Sequence, residues 1–286
     1  MGQYTHITDD TQMRAYLKRL KDREVREIAL DIEGEFNLHV YGERFCLLQL
    51  FDGTEEAVVD PLTTTGTLIS ELLENRNILK VTYDSASDRV LLAKTHQILM
   101  NSILDLRPAV ELLNFEKNDL KSVLSESIGV SEAGSKKRFQ QYDWTRRPVD
   151  PAAIEYAIQD VRHLFSLKQY LLRRLYETGK MEHYILENTK RQDHEPDVNR
   201  KPGIFRSGRH RKLSQKQQRA FARIYEIRDQ HARELDLPPN TVLANNDLFA
   251  IVTGEMAVSA VRGNRRVPAA TLDAIKREIG EIGSGD

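Results

Sequence analysis

The sequence predicts an α/β domain, a mixed sheet flanked by helices, followed by a small all-α unit. Three observations carry this. Short β-like runs cluster early, at Glu27–Glu33, Arg44–Phe51 and Glu56–Asp60, as an antiparallel hairpin edge would. Later runs, at Ile78–Thr82 and Ile103–Leu106, alternate with helical segments, so the sheet is mixed. After the aperiodic stretch Gln192–Lys212, which holds Pro196, Pro202, Gly203 and Gly208, only helical patterns remain.

Thr8–Leu20 reads as a helix capped by Thr8 or Asp9, with Met13, Tyr16, Leu17 and Leu20 at helical spacing. Asp52-Gly53 is a turn between two strands, and Leu62–Leu73 includes a second short helix. Asp84 is placed to cap a helix over Ser85–Lys94, which puts Asp88 on its first turn. Helices over Pro108–Asn114 and Leu120–Ile128 follow, then a polar, basic segment, Ser131–Arg147, that reads as a functional loop. Asp150-Pro151 opens a helix expected to run to about Thr178, where Gly179 stops it. In the tail, Ser214 to Gln217 is a capping box for a helix to about Leu235. Pro238-Pro239 ends it, and helices over Asn246–Thr253, Glu255–Val261 and Ala269–Ile279 complete the unit. The expected division is a domain over 1–190, a basic linker over 191–212 and a helical domain over 213–286.

Composition is that of an ordinary soluble protein: 286 residues, 40% hydrophobic, 30% charged, net charge −1. Global charge therefore says nothing about partners, but its distribution does. From Arg200 to Arg228 the chain carries Arg206, Arg209, Arg211, Lys212 and further basic residues against a single acid, Glu226. Such a block is a candidate for phosphate contacts, or else a solvated helix face. The single cysteine, Cys46, excludes an intrachain disulfide and a cysteine-based zinc site. No apolar run is long enough to span a bilayer, and the N-terminus lacks a signal-like core, so a cytoplasmic setting is expected.

Ile28-Ala29-Leu30-Asp31-Ile32-Glu33 is an apolar run that ends in two carboxylates. On a strand, Asp31 and Glu33 point to one face and repel each other unless a cation lies between them. Alone, the pair reads more simply as a strand end dipping into solvent, because Asp-x-Glu is common. Asp88, on a helix's first turn, and Asp160, four residues after Tyr156 on another helix, complete a set of four acids. Four carboxylates suit two divalent ions, one activating a water and the other stabilising the leaving oxygen of a phosphodiester. Oxygen ligands select Mg²⁺ or Mn²⁺. Tyr156 is placed to orient the attacking water, since a phenol with an ordinary pKa near ~10 is a poor base. The plain alternatives are a first-turn acid favoured by the helix dipole, for Asp88, and an exposed i, i+4 pair, for Tyr156 and Asp160.

Asp31-Ile32-Glu33, Asp88 and Tyr156-x-x-x-Asp160, in this order, resemble the three motifs of the DEDD 3′–5′ exonucleases, and the tyrosine resembles the DEDDy branch. Leu47–Gly53, Val59-Asp60-Pro61-Leu62, Asp143-Trp144 and Arg147-Pro148 resemble ribonuclease D in particular. The tail from Ser214 to about Glu281 is similar to an HRDC domain, a nucleic-acid-binding module of ribonuclease D and RecQ-type helicases. The resemblance implies a ribonuclease-H-like fold and release of nucleoside 5′-monophosphates from 3′ ends. It further implies Asp31, Glu33, Asp88 and Asp160 as metal ligands and Tyr156 as the residue that orients water. Lys137 matches a family lysine near the site. Trp144 either stacks on a base or anchors its loop. Arg209, Arg211 and Lys212 are candidate substrate contacts. The chain departs from ribonuclease D at Tyr83, where a histidine is common, and in having room for one helical tail domain rather than two. His163 fits no catalytic motif.

The implied function is a metal-dependent 3′–5′ exoribonuclease acting on structured RNA, with tRNA precursors as the family-like substrate. One alternative is a 3′–5′ DNA exonuclease of the Werner type, since the 2′-hydroxyl contact that separates the two is not legible. Another is a non-catalytic nucleic-acid-binding protein, which the presence of all four acids disfavours. Oligomeric state is left open.

Overall fold

The computed structural model describes residues 4–130, 139 and 141–283. It divides into two compact units, Met1–Gly34 with Arg44–Val198, and Glu35–Glu43 with Asn199–Asp286.

The first unit holds a six-stranded mixed sheet: β1 (Thr5–Ile7), β2 (Glu27–Phe36), β3 (Glu43–Phe51), β4 (Glu56–Val59), β5 (Leu79–Thr82) and β6 (Ile103–Asp105), in the order β1-β4-β3-β2-β5-β6. β3 and β4 run antiparallel, while β1/β4, β2/β5 and β5/β6 are parallel. The Asp52-Gly53 turn forms as read. Gly53 adopts φ +90°, and the Asp52 carboxylate accepts the Thr54 and Glu55 N–H groups at 2.9 and 2.8 Å. β1 was not foreseen, because three residues are too few to carry an alternating pattern.

Among the described residues eight helices flank the sheet: α1 (Asp10–Asp22), α2 (Gly66–Leu73), α3 (Ala86–His96), α4 (Arg107–Leu112), α5 (Leu120–Ile128), α6 (Pro151–Arg162), α7 (Leu164–Glu177) and α8 (Met181–Asp193). α1 starts where Asp9 accepts the Gln12 N–H. Apolar residues of α1, α2 and α3 pack with Ile28, Leu30 and Ile32 of β2 in one core. Ala29 of β2 joins α4, α5, α7 and α8 in a second. A third gathers α6 residues Ala153, Ile154, Ala157 and Ile158 around Cys46, Leu47, Val58 and Trp144.

Two expectations are corrected in this unit. The helix expected over 151–178 breaks at His163 (φ −107°, ψ 1°), without proline or glycine. Ala153, Ile154, Ala157 and Ile158 serve the third core, whereas Val161 and, past the break, Leu164, Leu167 and Leu171 serve the second, so the change of core begins in the last turn of α6 and the break completes it. Asp84 does not cap α3. It takes φ +61°, and its carboxylate pairs with Arg107 at 2.7 Å, while Ser85 holds the cap position. α8 was also missed. Its apolar face is carried mainly by Tyr184, and its polar face by charged residues that weaken the pattern.

The second unit is helical: α9 (Gly208–Arg211), α10 (Gln215–Glu234), α11 (Pro239–Val242), α12 (Asn245–Thr253) and α13 (Ala269–Gly283), with 3₁₀ turns at Gly203–Arg206 and Val258–Ala260. The Ser214 capping box is complete, with both reciprocal bonds formed. Glu255–Val261, expected as a helix, yields only the second 3₁₀ turn, after Gly254 at φ +80°. Part of the stretch read as a linker, 203–211, is short helix. Phe221, Ile224, Leu248, Phe249 and Ile275 form the core. The segment 35–43 belongs here through Tyr41, whose hydroxyl donates to Asp229 at 2.7 Å and whose N–H donates to Asp236 at 3.2 Å.

Candidate active site

The strand period sets the first half of the site. Ile28, Leu30 and Ile32 face one core and Ala29 the other, so Asp31 and Glu33 continue the Ala29 face. Burying the three apolar partners contributes about 1.5–3 kcal/mol each, enough to hold β2 in register against the repulsion of its two acids. The second half comes from α6, fixed at its start by Asp150 accepting the Ala152 N–H at 2.9 Å. At its end Arg162 donates to both Glu56 oxygens, at 2.6 and 2.9 Å.

This frame brings Asp31, Glu33 and Asp160 together. One carboxylate oxygen of each lies within 4.8 Å of the others, and all three residues are half-buried. Asp88, half-buried on the first turn of α3, is close enough for its charge to act on both strand acids. The electrostatic consequence is large. Burial, then Asp88, Asp160 and Glu33, hold the Asp31 carboxyl well above the usual range. Burial, Asp160 and Asp88 push Glu33 up to about 8. Burial, Asp84 and Asp105 push Asp88 up to about 7. Such crowding disfavours full ionisation of the cluster unless a cation offsets the repulsion. The donor set is all oxygen, converging and partly accessible, and it fits a hard divalent cation.

Tyr156 lies beside the acids. Burial and the charges of Asp160, Glu33 and Asp31 raise its phenol to about 12, so it stays protonated and acts as a hydrogen-bonding group, not a base. Its ring packs on Phe139, with centroids 5.5 Å apart, and Phe139 in turn meets Tyr142 at 6.0 Å.

Trp144 is 5% exposed among Cys46, Leu47 and Val58, with Tyr142 edge-on at 4.8 Å. This burial favours the loop-anchor reading over base-stacking. Arg147 does the companion work. It donates to both Asp60 oxygens at 2.5 and 2.8 Å, and to the carbonyls of Trp144 and Cys46 at 2.7 Å each. This pair joins two segments that the sequence offered only as separate likenesses, Asp60-Pro61 and Arg147-Pro148. Lys137 lies outside the described residues. Arg209, Arg211 and Lys212 are exposed on and just after α9, and Arg209 lies over the Phe249 ring at 4.4 Å. Tyr83 donates to the Asn118 carbonyl at 2.5 Å and so braces the chain beyond β5. His163 sits at the helix break, with its pKa lowered by burial.

Comparison with known proteins decides the family. The 3′–5′ exonuclease domain family matches residues 4–176, more than half of the chain. The chain belongs to the 3′–5′ exonuclease family. Within that family it is ribonuclease D-like. It is 28% identical over 271 residues to the ribonuclease D of Xanthomonas oryzae pv. oryzae, covering 91% of this chain and 68% of that protein. It is 27% identical over 238 residues to exosome complex component 10 of Mus musculus, covering 79% of this chain but 26% of that protein. The catalytic core of RRP6 from Trypanosoma brucei superposes with a TM-score of 0.77 at 20% identity, over 99% of this chain and 81% of that one, a likeness of fold. Among the described residues no helix is long and apolar enough to cross a membrane.

Proposed function

We propose that this exonuclease is a divalent-metal-dependent 3′–5′ exoribonuclease of the DEDDy type, acting in the cytoplasm on 3′ ends of tRNA precursors or other structured RNA. The observation that carries this is the convergence of Asp31, Glu33 and Asp160 oxygens within 4.8 Å, with Asp88 alongside. The names of the relatives, a ribonuclease D and an exosome component, support RNA as substrate.

Asp31, Glu33, Asp88 and Asp160 would hold two cations, Mg²⁺ or Mn²⁺. Bound there, such ions supply a lowered pKa for water and a positive charge against the phosphate oxygens. Asp31 and Glu33 would present a pair of ligands from one face of β2, and Asp160 would close the set from α6. Tyr156 holds its proton at working pH and directs the attacking water by hydrogen bonding. The Phe139 ring fixes the phenol's tilt. The helical unit, read as an HRDC domain over 213–286, would bind nucleic acid, and the basic connection over 191–212 would add phosphate contacts from Arg209, Arg211 and Lys212.

The test is a comparison of 5′-labelled 3′-extended tRNA with a matching single-stranded DNA in Mg²⁺ or Mn²⁺. Stepwise shortening of RNA, abolished by EDTA, is expected. Equal or faster loss of DNA would favour a Werner-type DNA exonuclease, and no shortening of either would favour a binding protein.

A further inference from the structure

We propose that Asp105, at the end of β6, is a positioning residue that sets the first turn of α3 and thereby the Asp88 carboxylate. The inference rests on Asp88 being one of the metal-holding acids. Asp88 is unlike the other three. Asp31 and Glu33 stand on a long central strand and Asp160 on a well-anchored helix, whereas Asp88 follows an abrupt change of direction. The chain leaves β5 at Thr82 and enters α3 at Ala86, and between them Asp84 adopts φ +61°, a conformation L residues rarely take without support. Neither local side chain supplies that support. Ser85 makes no capping bond of its own, and the Asp84 carboxylate is turned to Arg107.

Asp105 supplies it from the neighbouring strand. Register places Asp105 opposite Thr82, and its carboxylate is 3% exposed. One oxygen accepts the N–H groups of Asp84 and Arg107, both at 2.9 Å. The other accepts the Ser85 N–H at 3.1 Å and the Ser85 hydroxyl at 3.3 Å. The Ser85 carbonyl then accepts the Arg89 N–H at 3.0 Å, and this bond encloses Asp88. Asp105 is itself held by α8. Its N–H donates to Asn188 Oδ1 at 2.8 Å, and its carbonyl accepts the Tyr184 hydroxyl at 3.0 Å. Four donors converge on one carboxylate, so an amide, which turns one acceptor into a donor, cannot replace it.

The experiment compares the full chain with Asp105→Asn, Ser85→Ala and Asp88→Asn. It reads Mn²⁺ affinity by calorimetry, kcat and KM on a 5′-labelled RNA, and amide exchange over 84–89. Asp105→Asn is expected to weaken Mn²⁺ binding and lower kcat by about tenfold or more, the scale of losing a ligand's supporting group, with KM within about twofold. Exchange should quicken at 84–89 and not in α6. Ser85→Ala should shift the same readouts in the same direction by a smaller factor, and it carries the test alone if Asp105→Asn does not fold. Native Mn²⁺ affinity and native exchange at 84–89 in a folded Asp105→Asn, or in Ser85→Ala alone, would overturn the proposal. If Asp88→Asn keeps Mn²⁺ binding and activity, the reading of Asp88 as a ligand fails and takes this inference with it. If Asp88→Asn loses both while Asp105→Asn keeps both, only the inference falls.

Discussion

Replacing Glu33 by glutamine should make the metal-free protein more stable at pH 8, although it removes a residue read as a ligand. The Glu33 carboxyl is raised from 4.5 to about 8, first by burial and then by Asp160 and Asp88. Below about pH 4.5 it is protonated in both folded and unfolded chains and contributes nothing. Between about 4.5 and 8 the unfolded chain has released its proton while the folded chain keeps it, so stability falls as pH rises. Above about 8 the penalty is complete. At about 1.4 kcal/mol per pH unit the full displacement corresponds to several kcal/mol. Because neighbouring acids relax when one is neutralised and the cleft admits water, Glu33→Gln should return about 1–2 kcal/mol. That corresponds to a rise of roughly 2–8 °C in melting temperature for a unit of this size. The assay is thermal unfolding in EDTA at pH 5 and pH 8. The gain should appear at pH 8 and be near zero at pH 5. Saturating Mg²⁺ or Mn²⁺ should stabilise the native chain more at pH 8 than at pH 5, and Glu33→Gln should blunt that effect. An unchanged or lower melting temperature for Glu33→Gln at pH 8 in EDTA would refute the electrostatic reasoning.

Tyr156→Phe keeps the ring that packs on Phe139 and removes the hydroxyl. It should lower kcat by about 10²-fold, the low end for losing one positioned hydrogen-bond donor, with melting temperature nearly unchanged. Arg147→Ala leaves the Asp60 carboxylate, 4% exposed, without its partner. It should cost about 3 kcal/mol in urea unfolding, as breaking a buried ion pair does. Trp144 is the only tryptophan, so its fluorescence reports on that site alone; the emission should be blue-shifted and unquenched by a bound oligonucleotide, whereas strong quenching would restore it as a stacking platform. Replacing Arg209, Arg211 and Lys212 together by alanine should flatten the salt dependence of RNA binding by about 0.7 in log–log slope for each phosphate that the protein then leaves unneutralised.

The strand acids were legible because alternation alone puts Asp31 and Glu33 on one face, and Tyr156 and Asp160 because four residues make one helical turn. Asp88 was legible as a first-turn residue, but not the way its turn is built. Local spacing points to Asp84 as the cap, whereas Ser85 holds that position and the turn before it is held by Asp105, which is close only through β5–β6 pairing. Arg147 and Asp60 were legible as likenesses without a mechanism, since their bond spans two distant loops. The break at His163 left no local signal, because it answers to two cores and not to a helix breaker. Tyr41 was missed for the same kind of reason, its partners in the helical unit being far along the chain.

The central claim is that the converging acids hold the ions that permit 3′-end hydrolysis. The most direct measurement is the single-turnover rate of removal of the 3′-terminal nucleotide from a 5′-labelled RNA, across a Mg²⁺ titration, for the native chain and Asp31→Asn. The expected result is a rate that rises with Mg²⁺ for the native chain, vanishes in EDTA, and stays at background for folded Asp31→Asn at every concentration. A native-like rate in Asp31→Asn, or shortening that persists in EDTA, would contradict the account.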